Sequence, residues 1–201
     1  MAILPHVGVY GSQATSRNKL YALHAQGVEC ISKGKARNPY EFGVKVSITT
    51  THREGFVVGA RSMPGRPYDG HTLYEALEQA SIVGDCRIDT AVVDKGYRGA
   101  DVPGVRILRS GQRRGVTRGL KAMIRRRSAI EPTIGHMKTD GKLDRNWLKG
   151  ALGDALHAVL CGAGHNIRLL LRRLRRFCAF ILLSILACVR LMLPDRAEMT
   201  L

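Results

Sequence analysis

Alternating apolar and polar residues predict one β-hairpin in the first half of the chain. Residues 42–51 alternate between the two types and are rich in β-branched side chains, and residues 55–62 follow after a short polar stretch. Two such runs with a short connection are typical of paired antiparallel strands. Residues 63–70 contain two prolines and two glycines, which predicts a loop.

Later segments predict helices separated by short strands. Residues 71–83 repeat apolar side chains at helical spacing, which is typical of an amphipathic helix. Residues 87–93 and 105–108 are short apolar runs that predict strands. The second half predicts helices at 118–127, 128–139 and 152–176. This order of elements predicts a mixed α/β fold.

The helix predicted at 152–176 carries one broad apolar stripe. Its members are Leu156, Val159, Leu160, Ala163, Ile167, Leu170, Leu171 and Leu174. Residues 177–189 continue as an unbroken run of apolar and small residues, which is shorter than the roughly 20 that a membrane-spanning helix needs. We therefore expect a buried or partner-facing helix end there, with a membrane anchor as the alternative if Arg190 reaches the interface.

The net charge of the chain indicates an anionic partner. Its 201 residues, 45 % of them apolar, are enough for one domain with a core. The 32 basic residues outnumber the 16 acidic ones, and the net charge of +16 favours nucleic acid over an anionic membrane surface. Five scattered cysteines without a C-x-x-C motif argue against a zinc site or disulfide framework. Together with the absence of a signal-peptide pattern, they predict a reduced, cytoplasmic compartment.

Two acidic residues frame the basic segment and are the candidate functional residues. Asp94 ends a predicted strand, where α/β sheets place ligand-binding groups, although without further context an Asp that opens a turn with Lys95 and Gly96 is the favoured interpretation. Glu131 follows Ser128 in the pattern of a helix capping box. On a helix it also shares a face with Arg127 and Lys138. That face suits either a surface ion pair or a site that holds metal and phosphate together.

The cations between these two acids predict a DNA-binding surface. Aromatic residues are sparse there, so neutralisation of duplex phosphates is favoured over stacking on unpaired bases. The basic run begins with Arg106 and Arg109, and its candidate contacts are Arg113, Arg114, Arg118, Lys121, Arg125, Arg126 and Arg127. The histidines form no recognisable metal-ligand pair and no Ser or Cys lies in a nucleophile motif, so a Ser–His–Asp enzyme is not expected, and no small-molecule substrate is predicted.

Several motifs between residues 19 and 176 form a recognisable set. They are residues 29–36, 39–46, 67–73, 94–99 and 104–115, together with the spaced triplet Arg127-x3-Glu131-x6-Lys138. This set resembles bacterial insertion-sequence transposases, specifically the insertion-sequence-five group.

The resemblance implies a ribonuclease H-like fold, a mixed sheet flanked by helices, with a DDE triad that holds two Mg²⁺ ions for phosphodiester chemistry. By position, Asp94 is the second Asp and Glu131 the Glu, and both are metal ligands. Arg127 and Lys138 match cations that contact DNA phosphate near the cut, and Lys33 and Lys35 are added as DNA contacts. Arg127, Glu131 and Lys138 match the last three residues of the family's Tyr–Arg–Glu–Lys signature, but Ile124 stands where the family has the Tyr, and there this chain departs from it.

The first Asp of the triad has no counterpart, because Glu29 is the sole acid among residues 1–32. Asp69 matches a loop motif and is not assigned to the triad. We therefore expect an unmatched and disordered lead-in at 1–18, a partial catalytic domain at 19–176 that lacks its first strand, and an apolar tail at 177–201.

Such a chain is expected to be inactive alone. The expected partners are double-stranded DNA at insertion-sequence ends and a second copy or a full-length transposase, in a bacterial cytoplasm at the nucleoid. The alternative function is a DNA-binding remnant or regulator of full-length transposase without catalysis.

Overall fold

Strands in this protein pair in twos, and helices make up most of its second half. The computed structural model describes residues 21, 27–32, 36, 39–65 and 67–192. The strands are β1 (Glu29–Ser32), β2 (Tyr40–Gly43), β3 (Lys45–Thr50), β4 (Val57–Met63), β5 (Thr90–Val93) and β6 (Arg106–Arg109). The helices are α1 (Asp69–Gly84), α2 (Arg118–Arg126), α3 (Ile130–Thr139) and α4 (Gly150–Met192), with short 3₁₀ helices at Lys95–Tyr97 and Arg127–Ala129.

The predicted hairpin is confirmed. Strands β3 and β4 pair antiparallel from Lys45 opposite Met63, with a bulge between Thr49 and Thr50. Helix α1 is also confirmed, and its amphipathic face packs on both strands of this hairpin. The Arg61 guanidinium on β4 lies 2.8 Å from the Glu75 carboxylate on α1 and ties the two elements at the surface.

Strands β5 and β6 pair in parallel, with Thr90 opposite Arg106 and Val93 opposite Arg109. Parallel pairing brings the carboxyl ends of both strands to one edge of the sheet. Asp94 follows β5 at that edge, which is where α/β sheets place ligand-binding residues. Strand β5 is shorter than the segment 87–93 that was predicted to form it, because its hydrogen-bonded pairing with β6 begins only at Thr90.

The sheet differs from the prediction of one mixed sheet. Among the described residues the strands form three separate pairs, β1 with β2, β3 with β4, and β5 with β6. Helix α1 contacts β3 and β4 through side chains, and it shares a core cluster with β5. Packing on α1 therefore connects the pair β3–β4 with the pair β5–β6 in place of a continuous hydrogen-bonded ladder.

Two apolar clusters support the elements that carry the candidate site. The first joins Leu73 and Leu77 of α1 to Ala91 and Val93 of β5. A second cluster joins Val57 and Ala60 of β4 to Met137 of α3 and to Ala158 and Cys161 of α4. Met137 and Ala158 have no exposed surface. Asp94 therefore follows directly on the first cluster, whereas α3, with Glu131 in its first turn, is anchored in the second.

Helix α4 packs through its small residues rather than through the apolar stripe predicted from sequence. The buried positions include Ala158, Cys161, Gly162 and His165, whereas Leu156 is 48 % exposed and Leu160 62 % exposed. A Cβ atom added at Gly162 would lie 2.9 Å from Cγ1 of Val57, so the helix approaches β4 too closely for a larger side chain. Close approach decides which face of α4 is buried.

The chain divides into two units, residues 1–165 and residues 166–201. In the second unit, large side chains of the run 177–189 are exposed, including Phe177, Leu183 and Leu186. The prediction that this run is buried is therefore wrong for the single chain, and its contact with a partner stays a prediction. Within the described residues, no helix is long and apolar enough to cross a membrane. The lead-in 1–18 lies outside the described residues.

Replacing Gly162 with Ala tests the close packing of α4 on β4. The new methyl group would overlap Val57, so we expect the free energy of unfolding to fall by about 1–3 kcal/mol. The matched control is Gly135→Ala on α3, where nothing lies within 4 Å of the added Cβ and a gain of about 0.5–1 kcal/mol is expected. Urea unfolding of both variants measures the difference, and equal stabilities would contradict the packing described here.

Candidate functional site

Asp94 lies where β5 ends and a 3₁₀ turn begins. Its carboxylate accepts a hydrogen bond of 2.8 Å from the backbone amide of Lys95 and so caps the turn Lys95–Tyr97. The Arg109 side chain holds the loop that follows, because its guanidinium donates to the carbonyls of Tyr97 at 3.1 Å and Ala100 at 2.9 Å. About half of the Asp94 side chain, 52 %, remains exposed. The residue therefore opens the turn with Oδ1 and leaves Oδ2 for a partner other than this amide.

One guanidinium joins the two candidate acids. Arg127 Nη2 lies 3.2 Å from Oδ2 of Asp94, and Arg127 Nη1 lies 3.5 Å from Oε1 of Glu131. The Arg127 side chain is 20 % exposed, whereas that of Glu131 is 70 % exposed. The structure thus brings together three residues that the sequence analysis placed in the site, and a single cation neutralises both carboxylates in part.

The backbone between α2 and α3 places Arg127 and Glu131 side by side. The 3₁₀ turn Arg127–Ala129 joins the helices, and the Ser128 hydroxyl donates to the carbonyl of Arg125 at 2.9 Å. The capping box considered as the alternative role of Ser128 and Glu131 therefore does not form. Residue Ala129 occupies the cap of α3 without a side-chain hydrogen bond. The Ser128 hydroxyl bonds to α2 instead of to the first turn of α3, and the Glu131 carboxylate pairs with Arg127.

A second ion pair, between Lys45 and Asp69, lies next to the Asp94 turn. The Lys45 ammonium also donates to the carbonyl of Pro67 at 3.1 Å. A Cβ added at Gly96 would lie 2.8 Å from Oδ2 of Asp69, so this carboxylate rests against the turn that Asp94 caps. The sequence analysis put Asp69 in a loop, whereas it occupies the first turn of α1, where an acidic residue favours the helix dipole.

Tyr97 lies among the charges of both ion pairs. Burial of the phenol raises its pKa above the ordinary value of 10.0, and the negative charges of Asp69 and Asp94 raise the pKa further. A hydrogen bond from Ser47 and the charge of Arg127 act in the opposite direction. The sequence analysis missed Tyr97 and Lys45 as members of this cluster. Tyr97 lies three residues after Asp94 in the motif 94–99, whereas Lys45 joins the cluster because the tertiary fold brings β3 to the Asp94 turn.

Arg126 has a structural role that the sequence analysis also missed. Its guanidinium donates to the carbonyls of His52 at 2.9 Å and Arg53 at 2.6 Å, in the turn between β3 and β4. The His52 ring nitrogen lies 3.2 Å from the carbonyl of Met123 on α2. These contacts fix the end of α2 on the hairpin and so position Arg127, the next residue.

Exposed cations continue from the acidic pair along α2. Arg118, Lys121 and Arg125 lie on one face of the helix and are exposed, as are Arg113 and Arg114 in the preceding loop. A cation at the amino-terminal end of a helix opposes the helix dipole, so Arg118 does not serve helix stability. Lys138 is exposed on α3. Lys33 and Lys35 lie outside the described residues.

The arrangement of the acids does not form a prepared metal site. Carboxylate oxygens suit Mg²⁺, which prefers near-octahedral ligation by oxygen. Within the described residues, however, no group of three or more His, Cys, Asp or Glu side chains could hold a metal ion. Both Asp94 and Glu131 contact the Arg127 guanidinium instead. As the chain stands, the cation between the two acids is an arginine.

The raised pKa of Tyr97 predicts a stability change at high pH. Because the folded pKa exceeds the unfolded value, the neutral phenol contributes stability that is present below about pH 10 and lost as the pH rises through the folded pKa. Asp69→Asn removes a negative charge that raises the pKa of Tyr97, so in this variant we expect the pKa of Tyr97 to fall toward its ordinary value. The control is Asp101→Asn, an exposed acid that does not contribute to the shift.

The pKa can be followed by NMR of ¹³C-labelled tyrosine rings, with Tyr97→Phe to assign the signal. A Tyr97 that titrates identically in the Asp69→Asn variant and the native chain would contradict the cluster.

A comparison with family models identifies the chain. The model described as the transposase DDE domain matches residues 11–163. No match was found among curated proteins, and none among solved structures. The matched span covers most of the chain and includes Asp94, Arg127 and Glu131. The chain therefore belongs to the family of proteins that carry the transposase DDE domain.

Proposed function

We propose that this protein is a DNA-binding transposase chain of the insertion-sequence-five group, of bacterial origin, in which Asp94 and Glu131 serve strand cleavage and transfer at insertion-sequence ends. Family membership supports a function in DNA transposition and DNA as the substrate. The finer assignment rests on the motif set and on the geometry around Arg127.

The shared contact of Asp94 and Glu131 with one guanidinium carries the proposal. Asp94 follows a buried strand and Glu131 begins a helix that is anchored in a different apolar cluster. Two acids from such separate elements meet at 3.2 Å and 3.5 Å from Arg127. Surface ion pairs stabilise a fold by only about 0–1 kcal/mol each, so stability alone gives little reason to gather these charges. A role in phosphodiester chemistry is a better reason for these charges to lie together.

The exposed cations supply the DNA-binding part of the proposal. Arg113, Arg114 and the face of α2 formed by Arg118, Lys121 and Arg125 lead toward Arg127 in sequence and stay open to solvent. Phosphate neutralisation by such residues supplies most of the affinity in non-specific DNA binding. We propose Lys138, Lys33 and Lys35 as further contacts. Arg126 was also expected to contact DNA, but its guanidinium donates to the carbonyls of His52 and Arg53 and so serves the fold.

The same proposal extends to architecture. We infer a ribonuclease H-like arrangement for the catalytic part, expected at 19–176 and carried back to residue 11 by the family match, with 177–201 as an apolar tail. The parallel pair β5–β6, the hairpin β3–β4 and the helices that follow are compatible with that arrangement. The cytoplasm and the nucleoid are the proposed location.

A second function is favoured by the metal-site geometry. The described residues contain no group of three potential metal ligands, and the two acids present are paired with Arg127. A chain that binds insertion-sequence ends, or pairs with full-length transposase, without cutting DNA would need no such group. In the enzymatic alternative, a partner chain would contribute the first Asp of the triad.

Salt-dependent DNA binding tests the proposed surface. On a short duplex we expect log affinity to fall linearly with log salt, and Arg118→Ala to reduce the slope by about 0.9 through the loss of one phosphate contact. The control is Arg87→Ala, which removes an equally exposed arginine outside the basic segment and paired with Asp89 at 3.7 Å. Fluorescence anisotropy across a salt series measures both, and equal slopes for the two variants would refute the assigned surface.

The two functions separate in a strand-cleavage assay on a duplex that carries an insertion-sequence end. If the native chain cuts the duplex and Asp94→Asn abolishes the cutting, the enzymatic function is supported. Tight binding without cutting supports the regulator. Salt-insensitive binding, or none, contradicts both.

A further inference from the structure

We propose that one exposed face of helix α4 binds a second copy of this chain, which packs on it through the same face in antiparallel orientation. Helix α4 runs from Gly150 to Met192. The inference goes beyond the proposed function and does not rest on it, because two copies can pair through this face whether or not the chain cuts DNA.

Apolar side chains of α4 follow the spacing of a coiled-coil contact. From residue 156 to residue 181 they are four and three residues apart in strict alternation, which places them at positions a and d of a heptad repeat. Heptad spacing sustained over such a length is typical of a helix that pairs with another helix. These side chains form the seam of α4, and they are Leu156, Leu160, Ala163, Ile167, Leu170, Leu174, Phe177 and Ile181.

Packing within the single chain leaves the seam open. In the first unit, Ala158, Cys161 and Gly162 of α4 pack on β4. They occupy heptad positions f, b and c, which lie on the side of the helix away from positions a and d. In the second unit, taken by itself, none of the described side chains of α4 is buried. The helix therefore uses its outer positions for its own core and presents its seam to solvent.

The open apolar surface is large enough for a stable dimer. The seven larger side chains of the seam are 39–62 % exposed, and Val159, Leu171 and Phe180 beside it are exposed as well. Half-exposed side chains of this size each offer roughly 80 Å², so the ten together offer about 800 Å². A stable interface buries about 800 Å² on each partner. A patch of this size on one chain marks an interaction site.

The charge of the helix decides the orientation of the second copy. Arginines occupy positions 172, 173, 175 and 176, and no acid occurs between residues 166 and 192. A parallel pair would place the two arginine clusters side by side, at the separation of about 8–10 Å between packed helix axes. An antiparallel pair centred between Arg168 and Leu169 moves the clusters about 16 Å apart along the axis. That separation exceeds the Debye length of about 8 Å at physiological ionic strength, so the antiparallel pair avoids most of the repulsion.

The same antiparallel register pairs every member of the seam with another member. A two-fold dimer requires such self-complementarity, because each pair must occur twice. Small residues then lie opposite large ones, since Ala163 faces Leu174 and Gly164 faces Leu171, and side chains of alternating size interdigitate. The seam pairs, from the centre outward, are Ile167 with Leu170, Ala163 with Leu174, Leu160 with Phe177, and Leu156 with Ile181.

Heptad spacing favours a protein helix over a lipid surface as the occupant. The arginine cluster would also attract anionic lipid. Lipid chains are fluid and offer no fixed holes, however, so they do not select side chains spaced by four and three residues. A second helix does, because each side chain at a or d inserts between four residues of its partner. The second copy is the partner that the seam fits.

Analytical ultracentrifugation of the full chain without DNA measures the pairing. We expect the native chain to be a dimer at low micromolar concentration. Leu170→Glu should raise the dissociation constant of the dimer by at least about 100-fold, because two carboxylates would be buried without partners at the centre of the seam. Leu170 is 54 % exposed in the single chain, so the variant should fold as the native chain does, which circular dichroism checks.

The matched control is Leu182→Glu, which places the same carboxylate on the same helix outside the seam. Leu182 is 59 % exposed, close to the exposure of Leu170, and it occupies heptad position b. This variant should keep the dissociation constant of the native dimer. A general loss of apolar surface would affect the two variants alike, so the difference between them reports the seam.

Disulfide cross-linking tests the orientation and does not depend on the folding of Leu170→Glu. Two single variants, Ala163→Cys and Leu174→Cys, are made in a chain whose exposed Cys86, Cys178 and Cys188 are replaced with Ser. Under mild oxidation a mixture of the two variants should form a covalent dimer, because residues 163 and 174 of different copies lie opposite each other. Neither variant alone should do so.

Three results would overturn the inference. A native chain that stays monomeric in solution but floats with phosphatidylglycerol vesicles has a lipid surface, not a second copy, as its partner. Equal weakening of the dimer by Leu170→Glu and Leu182→Glu would mean that the apolar end of α4 associates without a seam. Cross-linking of each single-cysteine variant with itself would show a parallel pair. Each of these results leaves DNA binding and cleavage to be measured separately, so the proposed function can stand when this inference fails.

Discussion

The contact of one arginine with two carboxylates is the constraint around which the site of this protein is built. Arg127 can meet Asp94 and Glu131 only if the end of β5 and the start of α3 lie side by side. Those elements belong to different apolar clusters, one formed with α1 and the other with β4 and α4. The acids are half or more exposed, so their ion pairs add little stability. The packing of the two clusters fixes the charges, and the charges give the site its chemistry.

Two further arginines donate hydrogen bonds to backbone carbonyls of the protein itself. Arg109 donates to the carbonyls of Tyr97 and Ala100 and so shapes the turn after Asp94. Arg126 donates to the carbonyls of His52 and Arg53 and secures the end of α2. Both contacts leave the neighbouring face of α2 open to solvent. The chain thus divides its positive charge between holding the site together and presenting a surface that suits phosphate.

Local patterns predicted the elements that have a clear period, and tertiary contacts decided the rest. The hairpin and α1 follow from alternation and from helical spacing, because one face of each is buried. Helix α4 shows the limit, since its Leu-rich stripe is exposed while Ala158 and Gly162 are buried. Backbone approach to Val57, which no hydrophobic pattern encodes, selected the small-residue face. At the site, motif spacing identified Asp94, Arg127 and Glu131. Lys45, Asp69 and Tyr97 each lie within one of the recognised motifs, but the cluster they form was not predicted because the fold brings these three segments together from separate parts of the chain.

A double-mutant cycle on stability tests the central claim most directly, that Arg127 joins the two acids in one site. The free energy of unfolding in urea at low salt would be compared for the combined change Asp94→Asn and Glu131→Gln, made once in the native chain and once in the Arg127→Gln background. Low salt limits the screening of these partly exposed charges. Two ion pairs through one guanidinium predict a coupling of about 1 kcal/mol between the acids and Arg127. Strictly additive effects would mean that Arg127 does not connect Asp94 with Glu131, and would contradict the account.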